Sequence, residues 1–71
     1  MRKIKQKSKL YASEIEVLYW AAQGKTSYET SLILGLTQHT VNSYRKNAIF
    51  KLEANNVVHA VYKAYFEGII V

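Results

Sequence analysis

The sequence predicts an all-α domain built from four short helices. Its apolar residues recur with helical spacing, and no stretch alternates between apolar and polar side chains as a half-buried strand does. Proline is absent, and each of the three glycines follows an apolar block, where a helix that ends in a left-handed residue favours glycine. We therefore expect a basic, flexible tail over residues 1–9 and a single helical domain over residues 10–71.

The net charge of +5 is concentrated in this tail. Five lysine and arginine side chains precede residue 10, and the five that follow are balanced by five glutamates. Such a tail is either a solvated, disordered segment or an electrostatic arm near DNA phosphates, and the sequence leaves both open. The helical part itself is expected to be neutral.

Composition excludes several functional classes. Without cysteine and with only two isolated histidines, the chain is not expected to hold a disulfide or a metal ion. No apolar run approaches the roughly 20 residues of a membrane span, so we expect a cytoplasmic protein, associated with the nucleoid when bound to DNA. Neither a glycine-rich phosphate loop nor a histidine–carboxylate pair is present, so we expect neither an enzyme nor a cofactor.

The first helix is predicted from about Ala12 to Gln23. Ser13 followed by Glu16 resembles a capping box, in which each side chain accepts a backbone N–H. Trp20 is expected to be a core aromatic. The helical core stripe comprises Ile15, Leu18 and Ala22, widened by Val17, Tyr19 and Trp20.

The second helix begins with another capping-box pattern, Thr26 with Glu29, and ends near residue 34. Residues 32–34 (Leu-Ile-Leu) are expected to be its apolar part. Thr30 and Ser31 look too polar for a core face, although a hydroxyl group can bond the carbonyl of the preceding turn.

A glycine turn leads into the third helix. Gly35 suits a left-handed residue, and Thr37 can accept a backbone N–H at the start of the next helix. A short helix, a tight turn with glycine and a second amphipathic helix form the helix-turn-helix arrangement. The predicted core positions of the third helix are Val41, Tyr44, Ala48 and Leu52.

The opposite face of the third helix carries amides, hydroxyls and positive charge. Asparagine pairs with adenine, serine serves any base, and lysine or arginine reads guanine or holds phosphate. A basic polar face is often merely solvated, but the capped helix and glycine turn before it favour contact with double-stranded DNA. The predicted base-contacting residues are Asn42, Ser43, Arg45 and Lys46.

The last helix is predicted from about Asn56 to Glu67, with Ala60, Val61 and Ala64 facing inward. A second apolar stripe comprises Val58, Tyr62, Tyr65 and Ile69, with Phe66 beside it. Either residues 69–71 pack beneath this stripe, or it is a self-complementary dimer interface. The predicted interface residues are Val58, Tyr62, Tyr65 and Phe66.

Residues 10–70 resemble the LuxR-type (GerE-like) helix-turn-helix domain, the C-terminal DNA-binding module of many bacterial transcription regulators. The run from Glu29 to Gly35, followed by Thr40-Val41-Asn42, is more similar to quorum-sensing members than to phosphorylation-controlled ones. The other matching segments are Glu14-Ile15-Glu16-Val17-Leu18, Gly24-Lys25-Thr26-Ser27, Leu34-Gly35-Leu36-Thr37, Asn47, Lys51-Leu52, Ala60-Val61 and Gly68-Ile69-Ile70.

The resemblance implies that the third helix enters the major groove and that the last helix pairs two domains on a two-fold DNA site. It implies that Asn42, Ser43 and Lys46 face bases, with Arg45 at the groove edge. The predicted phosphate contacts, to which Lys25 is added for its charge, are Lys25, Thr26, Ser27, Tyr28, Thr37, Thr40 and Lys51.

Five positions depart from the family pattern. The usual Thr-Pro before the first helix is Tyr11-Ala12, which moves the expected cap to Ser13. Tyr28 and Val57 replace frequent basic residues, and Tyr44 replaces a common histidine. Fewer positive charges near phosphates imply weaker binding by the isolated domain, unless the tail or dimerisation compensates.

Quorum-sensing members usually carry an N-terminal signal-binding domain, for which 71 residues leave no room. The chain is thus either an excised C-terminal domain or a stand-alone member, which its initial methionine and Lys-rich lead favour. We predict a homodimeric transcription regulator. The alternative is a stand-alone modulator that forms a heterodimer with a full-length quorum-sensing regulator.

Overall fold

Four α-helices make up residues 10–71, the part of the chain that the structure, a computed structural model, describes. Helix α1 packs against α3 and α4, while α2 packs against α3 and more lightly against α1. The predicted all-α, four-helix fold is confirmed, and the predicted basic tail lies outside the described residues. The helices are α1 (Ala12–Ala22), α2 (Ser27–Leu34), α3 (Gln38–Lys51) and α4 (Val57–Phe66).

Helix α1 begins at the predicted residue, but the predicted cap at Ser13 is wrong. The extended residue before the helix is Tyr11, and its backbone N–H donates to Glu14 Oε1 at 3.0 Å. Glu14 is the third helical residue, so its carboxylate can fold back onto the N–H that precedes the helix. Ser13 already lies in the first turn, which excludes it and Glu16 from forming the predicted box.

The second predicted capping box is confirmed. Thr26 Oγ1 accepts the Glu29 N–H at 3.1 Å, and Glu29 Oε1 accepts the Thr26 N–H at 2.9 Å. Two N–H groups that the helix itself leaves free are thereby satisfied reciprocally. This box fixes where α2 starts, directly after the α1–α2 turn.

The inward face of α2 is the reverse of the expected one. Thr30 and Ser31 are buried, whereas Leu32 is 65% exposed and Ile33 is 45% exposed. Since α2 turns by about 100° per residue, one pair can be buried only if the other is exposed. Small side chains allow α2 to approach its neighbours closely, and Ser31 Oγ donates to the Tyr28 carbonyl at 2.6 Å, which offsets the cost of burying that hydroxyl.

The Thr30 hydroxyl is buried without a hydrogen-bond partner among residues 10–71. Replacing Thr30 by valine removes this unpaired group and nearly keeps the shape, so we expect the free energy of unfolding to rise by about 1 kcal/mol. Thermal melting followed by circular dichroism measures the change. The matched control, Thr30→Ser, keeps the hydroxyl and deletes the methyl group, so its melting temperature should fall. A lower melting temperature for Thr30→Val would show that the hydroxyl has a partner.

One core joins the two ends of the described chain. The predicted inward positions of α3 and α4 are confirmed for Val41, Ala48, Leu52, Ala60 and Ala64, which are all buried. Tyr44 and Trp20, also expected inside, are half-buried. Helix interaxial distance depends on the side chains at the contact, so the three alanines let α3 and α4 lie close to the rest of the core. The buried cluster consists of Leu10, Leu18, Ala48, Leu52, Ala60, Ala64 and Ile70.

A lysine on α4 fixes the connection to α3. Lys63 Nζ donates to the carbonyl of Leu52 at 2.9 Å and to that of Glu53 at 3.2 Å. These carbonyls lie at the end of α3, where cations are favourable because the helix leaves carbonyls unpaired. The orientation of α4 is therefore tied to the end of α3, the helix predicted to contact DNA.

Candidate nucleic-acid interface

The turn between α2 and α3 has the predicted geometry. Gly35 has φ of 69°, a left-handed conformation that side chains with a Cβ rarely adopt, and its N–H donates to the Ser31 carbonyl. Thr37 Oγ1 then accepts the Thr40 N–H at 3.0 Å and donates to Thr40 Oγ1 at 2.9 Å. Thr37, a predicted phosphate contact, thus caps α3, and Thr40, predicted likewise, provides the N–H that is capped.

Two of the predicted base-contacting residues lie together on the exposed face of α3. Asn42 and Lys46 are both exposed, and residues four apart lie one above the other on a helix. Ser43 and Arg45, on either side of this line, are half-buried. The centre of this face therefore presents the amide of Asn42 and the ammonium group of Lys46, about one helical turn apart.

The amide of Asn42 is held from α2. Ser27 Oγ donates to Asn42 Oδ1 at 2.5 Å, across 15 residues of sequence. Ser27, predicted as a phosphate contact, is half-buried at the first position of α2. This bond joins the two helices of the helix-turn-helix unit at its outer surface.

Arg45 braces α3 against the α1–α2 turn. Its Nη2 donates to the carbonyl of Lys25 at 2.9 Å. Partial burial removes water from the guanidinium group and lowers the pKa of Arg45, although an arginine stays charged at neutral pH. Its Nε is buried without a partner among residues 10–71. One N–H group at the end of this side chain is thus occupied within the protein.

Lys51, predicted as a phosphate contact, has partners within the domain. Its Nζ lies 2.8 Å from Oε1 and 3.1 Å from Oε2 of Glu14, and 3.7 Å from the centre of the Tyr11 ring. The Glu14 side chain is 2% exposed, and that of Lys51 is 24% exposed. This ion pair was not predicted from the sequence. The available local signal was the position of Glu14, three residues after Tyr11, which suits a carboxylate that folds back onto the start of α1.

The remaining predicted phosphate contacts cluster at the start of α2. Lys25, Thr26 and Tyr28 are exposed. The Thr26 hydroxyl caps α2, while the side chains of Lys25 and Tyr28 extend from the surface beside it. Cations and hydroxyls at the start of a helix are groups that bind phosphate oxygens.

An apolar face of α4 stays exposed in the monomer. Val58, Tyr62, Tyr65 and Phe66 are between 56% and 78% exposed, and the rings of Tyr62 and Phe66 stack with centroids 6.1 Å apart. Residues 69–71 do not cover this face, because Ile70 is buried in the core and Val71 is exposed. The packing of these last residues therefore leaves the α4 face, defined by the four side chains above, without a covering element among residues 10–71.

Residues 10–71 contain neither a group of side chains for a metal ion nor a membrane-spanning helix. No group of three histidine, aspartate or glutamate side chains is placed to hold a metal ion in this part of the chain. None of its helices has the length and apolarity that crossing a membrane requires. The polar face of α3 and the α4 face are candidate interaction surfaces of this part of the chain.

The family model described as bacterial regulatory proteins, luxR family (GerE), matches residues 8–64. The chain belongs to the LuxR family. Its LuxR-type helix-turn-helix domain, predicted from the sequence motifs, is thereby confirmed. This is a family of transcription-regulator DNA-binding domains, in agreement with the prediction that the chain is not an enzyme.

Two curated LuxR-type relatives are similar over nearly the whole chain. The transcriptional activator protein SolR of Ralstonia nicotianae is 48% identical over 61 residues, which cover 86% of this chain and 26% of SolR. The quorum sensing-dependent transcriptional regulator RpaR of Rhodopseudomonas palustris is 45% identical over 65 residues, which cover 92% of this chain and 27% of RpaR. The chain therefore spans about a quarter of the length of these relatives.

The fold is also found in a solved LuxR-family structure, that of the transcription factor GerE. The two superpose with a TM-score of 0.83 over 87% of this chain and 92% of GerE, at 21% sequence identity. At that identity the likeness concerns the fold. It confirms the predicted four-helix arrangement.

Proposed function

We propose that this LuxR-type domain binds double-stranded DNA sequence-specifically, with α3 in the major groove. The observation that carries the proposal is the exposed pair Asn42 and Lys46, one turn apart on a helix that α2 and its capped turn hold in place. The major groove admits an α-helix, and amide and ammonium groups can read the edges of bases there. Names of relatives such as RpaR suggest that the protein acts in quorum-sensing-dependent transcription.

Each predicted base contact has a distinct chemistry in this proposal. Asn42 pairs with adenine or donates to another acceptor, and Lys46 donates to guanine. Ser43 contacts a base edge beside them. Arg45, whose Nη2 bonds the Lys25 carbonyl, directs its free N–H groups to the groove edge.

Phosphate contacts fix the position of α3 in the groove but carry no sequence information. We assign them to the residues around the start of α2, the start of α3 and the end of α3. Because charges balance over residues 10–71, placement of individual lysines matters more than net charge within the domain. The assigned residues are Lys25, Thr26, Tyr28, Thr37, Thr40 and Lys51. Ser27, also predicted from the sequence to contact phosphate, is left out because its hydroxyl bonds Asn42.

Two copies of the domain are proposed to pair through the α4 face. Exposed aromatic side chains are enriched in interfaces, and a two-fold contact of this kind is self-complementary. A dimer of helix-turn-helix domains binds two half-sites about one helical turn of DNA apart, so the operator is expected to be palindromic.

Selection of bound sequences from a random pool of duplex DNA tests the proposal. A palindromic consensus with half-sites about one helical turn apart supports it, and protection of major-groove positions within each half-site supports the placement of α3. Recovery of unenriched sequences by the folded protein contradicts sequence-specific binding.

Asn42→Ala and Lys46→Ala are each expected to weaken binding to the selected site by about 1–3 kcal/mol and to relax the preference at one base pair. Titrations against the selected site and its single-base-pair variants measure both effects. Lys25→Ala is the matched control, since a lost phosphate contact should weaken binding to all sequences alike and flatten the salt dependence. Equal losses on all sequences for Asn42→Ala would contradict its assigned role.

A second candidate function is pairing with a full-length LuxR-type regulator, and the exposed α4 face favours it. The stacked Tyr62 and Phe66 rings offer an apolar contact that a related α4 could match as well as a second copy does. Tight binding to such a regulator, together with failure of the domain alone to bind any selected DNA, would favour this candidate over the first.

A further inference from the structure

The Ser27 hydroxyl does not cap α2, because its neighbour Thr26 does. Thr26 accepts the Glu29 N–H and so caps α2, whereas Ser27 Oγ reaches across to α3 and bonds Asn42 Oδ1. A serine at this point of a helix has no need of a partner on another element, because it can stay solvated. The bond from Ser27 to the exposed Asn42 is therefore not needed to stabilise α2, and its consequence lies at Asn42.

Ser27 holds the oxygen end of the Asn42 amide, because its Oγ donates to Oδ1. Both N–H groups of Asn42 Nδ2 are therefore left to donate elsewhere. Without this bond, an exposed amide can rotate and exchange the places of its oxygen and nitrogen.

We propose that Ser27 is a specificity-determining residue that acts by positioning Asn42. By holding Oδ1, it presents Nδ2 as a donor to the base edge. A fixed donor favours acceptors such as N7 of purines or O6 of guanine and disfavours the N4 amino group of cytosine. The proposal rests on the proposed binding of DNA through α3. It gives Ser27 a role in base preference, which a phosphate contact does not have.

The test compares wild type, Ser27→Ala and Ser27→Thr on the selected site and on its variants at the base pair whose preference Asn42→Ala relaxes. Ser27→Ala is expected to reduce discrimination at that pair roughly two- to tenfold, the worth of a hydrogen bond. Discrimination at other pairs, affinity for unrelated DNA and the salt dependence should stay unchanged. Ser27→Thr retains the hydroxyl and should retain the discrimination.

A double-mutant comparison separates action through Asn42 from other effects. In the Asn42→Ala background, Ser27→Ala should change base preference no further. A uniform loss of affinity on all sequences would instead make Ser27 a phosphate contact and overturn the proposal. A loss of discrimination that persists without the Asn42 amide would overturn it too.

A measurement on the free protein keeps this inference separate from the proposed function. Nuclear relaxation of the Asn42 side-chain amide should report a higher order parameter in wild type and Ser27→Thr than in Ser27→Ala. Equal order in all three would overturn the positioning role even if DNA is bound specifically. Failure of the wild type to prefer any sequence would overturn the proposed function and the specificity role together, while the expected difference in order would still show that Ser27 positions Asn42. Circular dichroism verifies that all variants are folded.

Discussion

Replacing Lys51 by methionine is expected to lower the free energy of unfolding by about 3 kcal/mol, the lower end of what breaking a buried ion pair costs. The lower end applies because the Lys51 side chain is 24% exposed, although that of Glu14 is only 2% exposed. Without the amine, the buried carboxylate keeps the Tyr11 N–H as its hydrogen-bond donor among residues 10–71. Methionine keeps much of the apolar stem, so the loss isolates the charge. Urea titration followed by circular dichroism measures it.

Two further variants test whether the lost stability comes from an unpaired Glu14. Lys51→Arg keeps a cation near the carboxylate and the Tyr11 ring and should recover most of the stability. The double variant Glu14→Gln with Lys51→Met removes both charges and should be more stable than Lys51→Met alone. If Lys51→Met lowers the free energy of unfolding by less than about 0.5 kcal/mol, the Lys51–Glu14 pair contributes no more to stability than an exposed ion pair does. Lys51 would then act chiefly on phosphate.

Helix starts and ends were predictable where the deciding contacts are local. The Thr26–Glu29 box and the Thr37 cap each depend on atoms within three residues, so the side chains themselves specify them. Helix α1 shows the limit of this reasoning. Both Glu14 and Glu16 stand near a candidate cap, and only the burial of Glu14 against Lys51 decides between them.

The buried face of α2 could not be predicted because tertiary packing overrides side-chain polarity there. Side-chain polarity alone predicts that Leu32 is buried and Thr30 is exposed. However, α2 is short and packs against both α3 and α1, so small side chains are needed where it contacts them. Bonds across long stretches of sequence escaped prediction for a related reason. The Ser27–Asn42 and Lys51–Glu14 contacts span 15 and 37 residues and depend on how helices cross. By contrast, the exposure of Asn42 and Lys46 follows from helical periodicity alone.

The Tyr62→Asp substitution is expected to raise the dimer dissociation constant at least about thirtyfold, since leaving a charge buried and unpaired in an interface costs about 2–5 kcal/mol. Tyr62 is 62% exposed in the monomer, so the fold itself should lose little stability. In a two-fold contact, each copy would bring its own carboxylate into an apolar surface that includes the stacked ring of Phe66. Sedimentation of wild type and variant over a range of concentrations measures the change.

The matched control for Tyr62→Asp is Phe50→Asp, which places the same charge at an exposed aromatic residue of α3, outside the α4 face. It should leave the dimer dissociation constant unchanged, and equal effects of both substitutions would point to net charge instead of a specific contact. A wild type that stays monomeric at all concentrations would contradict pairing through the α4 face.

DNA binding provides the second readout for Tyr62→Asp, because linking two domains makes the second half-site contact intramolecular. Loss of pairing should weaken binding to the palindromic site by roughly 10²–10⁴-fold, the gain that a second tethered contact supplies. Affinity for a single half-site should stay unchanged, since the substituted residue lies on α4 and the proposed base contacts lie on α3. An equal loss on half-site and full site would mean that Tyr62 acts on the conformation of the domain itself, and the α4 face would then not be the surface that joins two copies.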